Sequence, residues 1–238
     1  MVQVTAGEAA QQVHPLDDVV GNALASRQHH LAIGNEHVRR YPSDVAPFAS
    51  MADFTPASFD TLHTLVEQHG PAALVTTQEL AHPSSFSVVW RTTLLQMIWQ
   101  GKPDSRGDIE HVTLNGEDVP EMLQLTAATQ PGPFSARTIE MGRYIGVRSQ
   151  GRLAAMAGER LKPNGFTEIS AVCVDPDFRG KGLSTGLMRV LIAEISARGE
   201  TPFLHVLESN YAAIKIYEAL GFVVRRAMHL TVLGAAST

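Results

Sequence analysis

Apolar positions in the second half of the chain fall into two rhythms. Leu183, Leu187, Leu191 and Ile195 recur every four positions, with Met188 and Ile192 beside them, the signature of a helix with one buried face. FTEISAVCV (166–174) before it and FLHVLE (203–208) after it are apolar strands, joined to the helix by DPDFRGKG and by a stop near Gly199. Alternation within 166–174 puts Glu168, Ser170, Val172 and Val174 on one face and Ile169, Ala171 and Cys173 on the other. Ser209-Asn210 caps a second helix that runs to Leu220, with Gly221 in the stop position, and FVVRRAMHLTVL (222–233) closes the region as a strand. Upstream, the pattern predicts strands at 111–114, 144–148 and 153–161 and a helix at 118–128 that carries Met122, Leu123 and Leu125.

The first half is more broken. A short helix spans 16–25, and 30–41 reads as two strands around a turn at Gly34-Asn35. Another strand follows Pro42. Phe59, Leu62, Leu65 and Val66 mark a helix over 56–69 that Gly70-Pro71 stops, and strands follow at 72–77 and 85–99. GKPDSRGD (101–108) is the linker candidate. The chain therefore divides into a loose tail (1–15), an N-terminal α/β domain (16–107) and a second domain (108–238). Residues 52–77 have the strand-helix-strand rhythm of 174–206 without its glycine-rich basic turn. They read either as a degenerate copy of the same fold that cannot bind the same ligand, or as an unrelated α/β cap.

Composition narrows the class. With 44% hydrophobic and 18% charged residues the chain is globular. A net charge of −5 offers no footprint for nucleic acid or an anionic membrane. No run approaches the length of a membrane helix. Cys173 is the lone cysteine, so no intramolecular disulfide forms. With no signal-peptide pattern at the start, the expected location is the cytoplasm.

Three features carry chemistry. Arg179, Gly180, Lys181, Gly182, Leu183 and Ser184 sit where a long helix begins. Glycines admit close approach of the main chain, and the free N–H groups and positive end of the helix dipole favour an anion. A surface turn with two solvated cations is the plainer alternative, and the spacing is not that of a P-loop. Asn210 and Tyr217 are seven positions apart, two turns, hence on one face about 10 Å apart along the axis. A tyrosine there is a general-acid candidate or a core-edge aromatic. Glu168 is a general base or a strand-end carboxylate in solvent. Cys173 reads as a small buried hydrophobe. The ten histidines show no HExxH pattern, and no metal is expected.

VCVDPDFRGKGLS, a long helix, and FLHVLESNYAAIKIYEALGF, in that order, resemble the GNAT acetyltransferase superfamily over about 130 residues. The nearest likeness is to the branch of glycine N-acyltransferase C-terminal domains. The resemblance implies a mixed, mainly antiparallel, splayed central sheet flanked by helices, an α/β (α+β) fold. It implies acetyl-CoA or another acyl-CoA as co-substrate, with the backbone of Val172, Cys173 and Val174 on the pantetheine arm. Amides of the loop Arg179–Ser184 would bind the pyrophosphate, and Asn210 would contact CoA. Tyr217 matches the usual acid, and Glu168 lies on the strand that often bears the base. Ser184 replaces the usual Gly or Ala. Phe134, Arg137, Glu140 and Glu159 would border the acceptor. The activity implied is transfer to the primary amine of a small molecule, amino acids included, by direct attack, in a monomer or homodimer. A protein N-terminal or lysine acetyltransferase and a non-catalytic acyl-CoA sensor are the alternatives.

Overall fold

The computed structural model describes residues 14–102 and 109–236, so most of the expected tail and linker lie outside the described residues. The first half contains α1 (Val19–Ala25), β1 (Ile33–Gly34), β2 (Val38–Arg40), β3 (Phe48–Met51), α2 (Pro56–His69), β4 (Ala72–Thr76) and β5 (Phe86–Trp99). The second contains β6 (Val112–Leu114), α3 (Val119–Thr129), β7 (Tyr144–Ser149), β8 (Arg152–Glu159), β9 (Phe166–Val174), α4 (Leu183–Ala197), β10 (Thr201–Leu207), α5 (Tyr211–Ala219) and β11 (Phe222–Ala235). Helix starts follow the capping chemistry. The Thr55 hydroxyl accepts from Ser58 N, with Pro56 in the first turn, and the Asn210 side chain accepts from Ala213 N.

All described strands join one sheet in the order β1-β2-β3-β4-β11-β5-β10-β9-β8-β7-β6. Neighbours are antiparallel except β3 with β4 and β9 with β10. The two longest strands, β5 and β11, pair along their whole length at the centre. Each then pairs with a strand of the other half: β5 with β10, and β11 with β4. Apart from the terminal β6, the order reads the same from both ends. β1 corresponds to β7, β2 to β8, β3 to β9, β4 to β10 and β5 to β11, and every pairing keeps its sense under this exchange.

The second half opens in the middle. β9 and β10 are paired only where Phe166–Glu168 meets Thr201–Phe203. Beyond Glu168 they diverge, and that edge of β9 has no strand partner among the described residues. The other edge carries a bulge: the register with β8 shifts between Met156 and Gly158, and Ala171 has φ 52. An extra residue in one strand reverses which face the following side chains take. The expected alternation therefore fails at Ala171. Ile169 joins Val172 and Val174 in the core under α4, with Leu187, Leu191 and Ile195, whereas Ala171 and Cys173 pack beside Met122 and Leu125 of α3. Burial of each large α4 side chain contributes about 1.5–3 kcal/mol, so the four-residue rhythm of that helix is what fastens it across the gap.

Candidate functional site

The loop before α4 is shaped by its glycines. Gly180 and Gly182 have φ 77 and 72, and a Cβ added at either would meet nothing within 4 Å. The requirement is the left-handed backbone itself, not space. Gly182 is the N-cap of α4 and supplies no side-chain cap. Among the described residues, nothing accepts from the amides of Gly180 through Thr185. An uncapped helix start with free N–H groups is an anion site in waiting. The matching start of α2 is closed: Thr55 N, Thr55 Oγ1 and Ser58 Oγ all donate to Asp53 Oδ1 at 3.1, 2.7 and 2.6 Å. Hydrogen bonds from Ser58 and Thr55 hold that carboxyl down at about 2. A carboxylate fixed there satisfies the donors and repels phosphate.

A cavity of about 600 Å³ runs from the α4 start through the β9–β10 gap to a wall built by the first half. Val172, Cys173, Val174, Arg179, Ser184, Asn210 and Tyr217 all line it. Gly180, Lys181 and Gly182 face solvent, and Leu183 is half-buried against the α4 core. Lys181 and Arg152 both lie over the Phe178 ring, at 5.0 and 5.2 Å from its centroid. Tyr217 stacks edge-on against Phe222 and lines the cavity. Burial raises its pKa, so the phenol keeps its proton. Burial likewise pushes the Cys173 thiol up to about 11, which removes it as a nucleophile near neutral pH.

Glu168 does not reach the cavity, which corrects its reading as a solvent-facing or acceptor-facing carboxylate. It is fully buried, and Arg160 Nε and Nη2 each donate to it at 2.8 Å. Leu161 N and His205 Nδ1 also bond to it. Burial would raise the carboxyl, but the charge and hydrogen bonds of Arg160, helped by His205, hold it far below the usual carboxylate range. Such a group has little affinity for a proton taken from an amine. Its two partners, Arg160 and His205, line the cavity instead. Gln96 Nε2 faces His205 Nε2 at 3.1 Å, and Arg225, bonded to Gln96 Oε1 at 2.7 Å, orients the amide. His205 Nδ1 therefore carries the hydrogen and Nε2 the lone pair.

The four residues expected around the acceptor are elsewhere. Phe134 packs edge-on against Tyr144. Arg137 pairs with Glu140 and Asp44. Glu159 is buried between Lys162 and Arg198, each at 2.6 Å. The cavity is also lined by residues that the sequence patterns did not single out: Phe48, Val75, Trp90, Leu94, Leu230 and Val232. A histidine inside the apolar run 203–208 was a visible anomaly, but nothing local linked it to Glu168. Among the described residues, no helix is long and apolar enough to cross a membrane.

The FR47-like protein family model matches residues 144–230. The [ribosomal protein bS18]-alanine N-acetyltransferase of Salmonella typhimurium is 34% identical over 130 residues, covering 51% of this chain and 87% of that protein. N-alpha-acetyltransferase RimI of Mycobacterium tuberculosis is 35% identical over 106 residues, covering 42% and 66%. A crystal structure of a putative GNAT-family acetyltransferase from Novosphingobium aromaticivorans superposes with TM-score 0.88 at 42% identity, covering 94% of this chain and 100% of that one. A GCN5-related N-acetyltransferase from Kribbella flavida shares the fold, with TM-score 0.58, 18% identity and coverage of 92% and 96%.

Proposed function

This chain belongs to the GNAT N-acetyltransferase superfamily, and from that premise we propose that it transfers an acetyl group from acetyl-CoA to the primary amine of a small molecule held in the cavity. The observation that carries the proposal is the continuity of that cavity. It joins the end of the free-amide loop, the unpaired edge of β9 and Tyr217 in one space walled by both halves.

The loop Arg179–Ser184 and the α4 dipole receive the pyrophosphate, with charge from Arg179 added. The open edge at Val172–Val174 offers N–H and C=O groups to the pantetheine amides. His205 takes the place first given to Glu168. Its Nε2 lone pair accepts a proton from the attacking amine in exchange for the Gln96 contact, while Glu168 holds the ring through Nδ1. The amine nitrogen bonds to the acyl carbon, the carbon–sulfur bond breaks, and Tyr217 donates its proton to the departing thiolate. Cys173 takes no part as a nucleophile.

The mirrored strand order further supports reading the two halves as diverged copies. The first half, with Asp53 where phosphate would sit, serves as the acceptor wall.

Thiol release from acetyl-CoA, followed with amino acids, polyamines, aminoglycosides and short peptides, tests the proposal; release with a small amine is expected. The names of the bacterial relatives favour a second reading, a protein N-terminal alanine as acceptor, which predicts turnover with peptides and none with small amines. Bound CoA without turnover on any acceptor would leave a sensor.

A further inference from the structure

We infer that the acceptor is an amino acid with a large apolar side chain and that Arg160 is the residue that reads its carboxylate. The inference rests on the transfer reading above and names its substrate class.

Charge makes the first cut. Among the described residues, no aspartate or glutamate lines the cavity, and the charged side chains that do are Arg160 and Arg179. Arg179 stands at the donor loop, so Arg160 is the one formal charge toward the acceptor. A polycation such as spermidine or an aminoglycoside would bring several ammonium groups to a wall with no carboxylate to receive them.

The guanidinium is held ready for one more partner. Of its five N–H donors, those on Nε and Nη2 that point at Glu168 are used. Nη1 has no partner among the described residues, and it stands 4.0 Å from where a Cβ on Gly132 would lie, in a segment that also lines the cavity. The Phe48 ring lies under the guanidinium, 4.9 Å from its carbon, which fixes the plane and leaves the Nη1 edge forward. Glu168 meets the cost of burying the cation. The unused donors remain able to make a charge-assisted bond to a carboxylate.

Spacing makes the second cut. Arg160 Nη2 and His205 Nδ1 bond to the same oxygen, Glu168 Oε1, each at 2.8 Å. The two side chains are therefore held side by side on one carboxylate, and both line the cavity, matched to a molecule that carries its anionic group and its amine close together. Past them, Val75, Trp90, Leu94 and Val232 offer an apolar surface to the rest of that molecule. A peptide N-terminus presents the same amine, but an amide where the carboxylate should be.

The test compares leucine and phenylalanine with their amides in the thiol-release assay. Loss of a charge-assisted hydrogen bond is expected to raise KM about 10–100-fold for the amides. Arg160→Lys keeps a cation for Glu168 but withdraws the forward nitrogen, and should bring the acid-to-amide ratio close to 1. If that variant fails to fold, the ratio measured on the natural chain decides alone. Equal KM for acid and amide, or faster turnover of spermidine or an alanine-led peptide, overturns the inference and leaves acetyl transfer standing. Absence of release with every amine overturns both.

Discussion

His205 Nδ1 lies 2.8 Å from Glu168 Oε1, so an imidazole at the cavity wall is held by a carboxylate that never reaches the cavity. Replacing His205 with Gln keeps a polar group of similar reach but removes the proton acceptor. The expected result is a fall in kcat of roughly 10²–10⁴-fold, while calorimetry still detects acetyl-CoA binding. An unchanged kcat would count against His205 as base.

Glu168→Gln leaves Arg160 buried without its counter-charge, and should cost about 3–5 kcal/mol in denaturant unfolding. The pH dependence has a definite sign. Burial raises the Glu168 carboxyl, but the charge of Arg160 and the hydrogen bonds lower it further. A carboxyl depressed in the folded state stabilises the protein above the unfolded value, about 4.5, and that contribution is lost as pH falls toward the folded value. The natural chain should lose stability more steeply than the Gln variant from about pH 4.5 downward.

Tyr217→Phe removes the hydroxyl from a residue that lines the cavity. Turnover should fall by roughly 10²-fold or more with little change in acetyl-CoA affinity. Thiol release and calorimetry on the same preparation separate these effects, and undiminished turnover would dismiss the acid role.

Gly182→Ala places a Cβ on a residue with φ 72. The left-handed conformation should cost about 1–2 kcal/mol, read as a lower Tm. Because the N-cap of α4 then shifts its amides, KM for acetyl-CoA should rise more than KM for the amine.

Residues 109–238 expressed alone lack β5, which lies between β10 and β11. The fragment is expected to be unfolded or aggregated, with three strand edges stripped of partners, one on β10 and both on β11, and to regain soluble structure on co-expression with residues 1–108. A stable, monomeric fragment would show that β5 is dispensable.

Local pattern alone identified much of this protein. The Leu183–Ile195 rhythm, the stop at Gly70 and the cap at Asn210 became α4, the end of α2 and the start of α5, because helix faces and caps are written in residues a few positions apart. The glycine-rich turn before α4 was legible for the same reason: glycines and cations at a helix start are a contiguous signal. The bulge at Ala171 was not legible, since a register shift depends on the neighbouring strand, and with it went the assignment of faces around Glu168. Nor were the partners of Glu168 legible. Arg160, Glu168 and His205 meet only after β8, β9 and β10 assemble, and that assembly buries the carboxylate beside a guanidinium. The cavity wall built by the first half is the most distant product of folding. Trp90 and Val75 reach the cavity because β5 and β11 cross between the halves, a pairing decided by the sheet as a whole and not by any one segment.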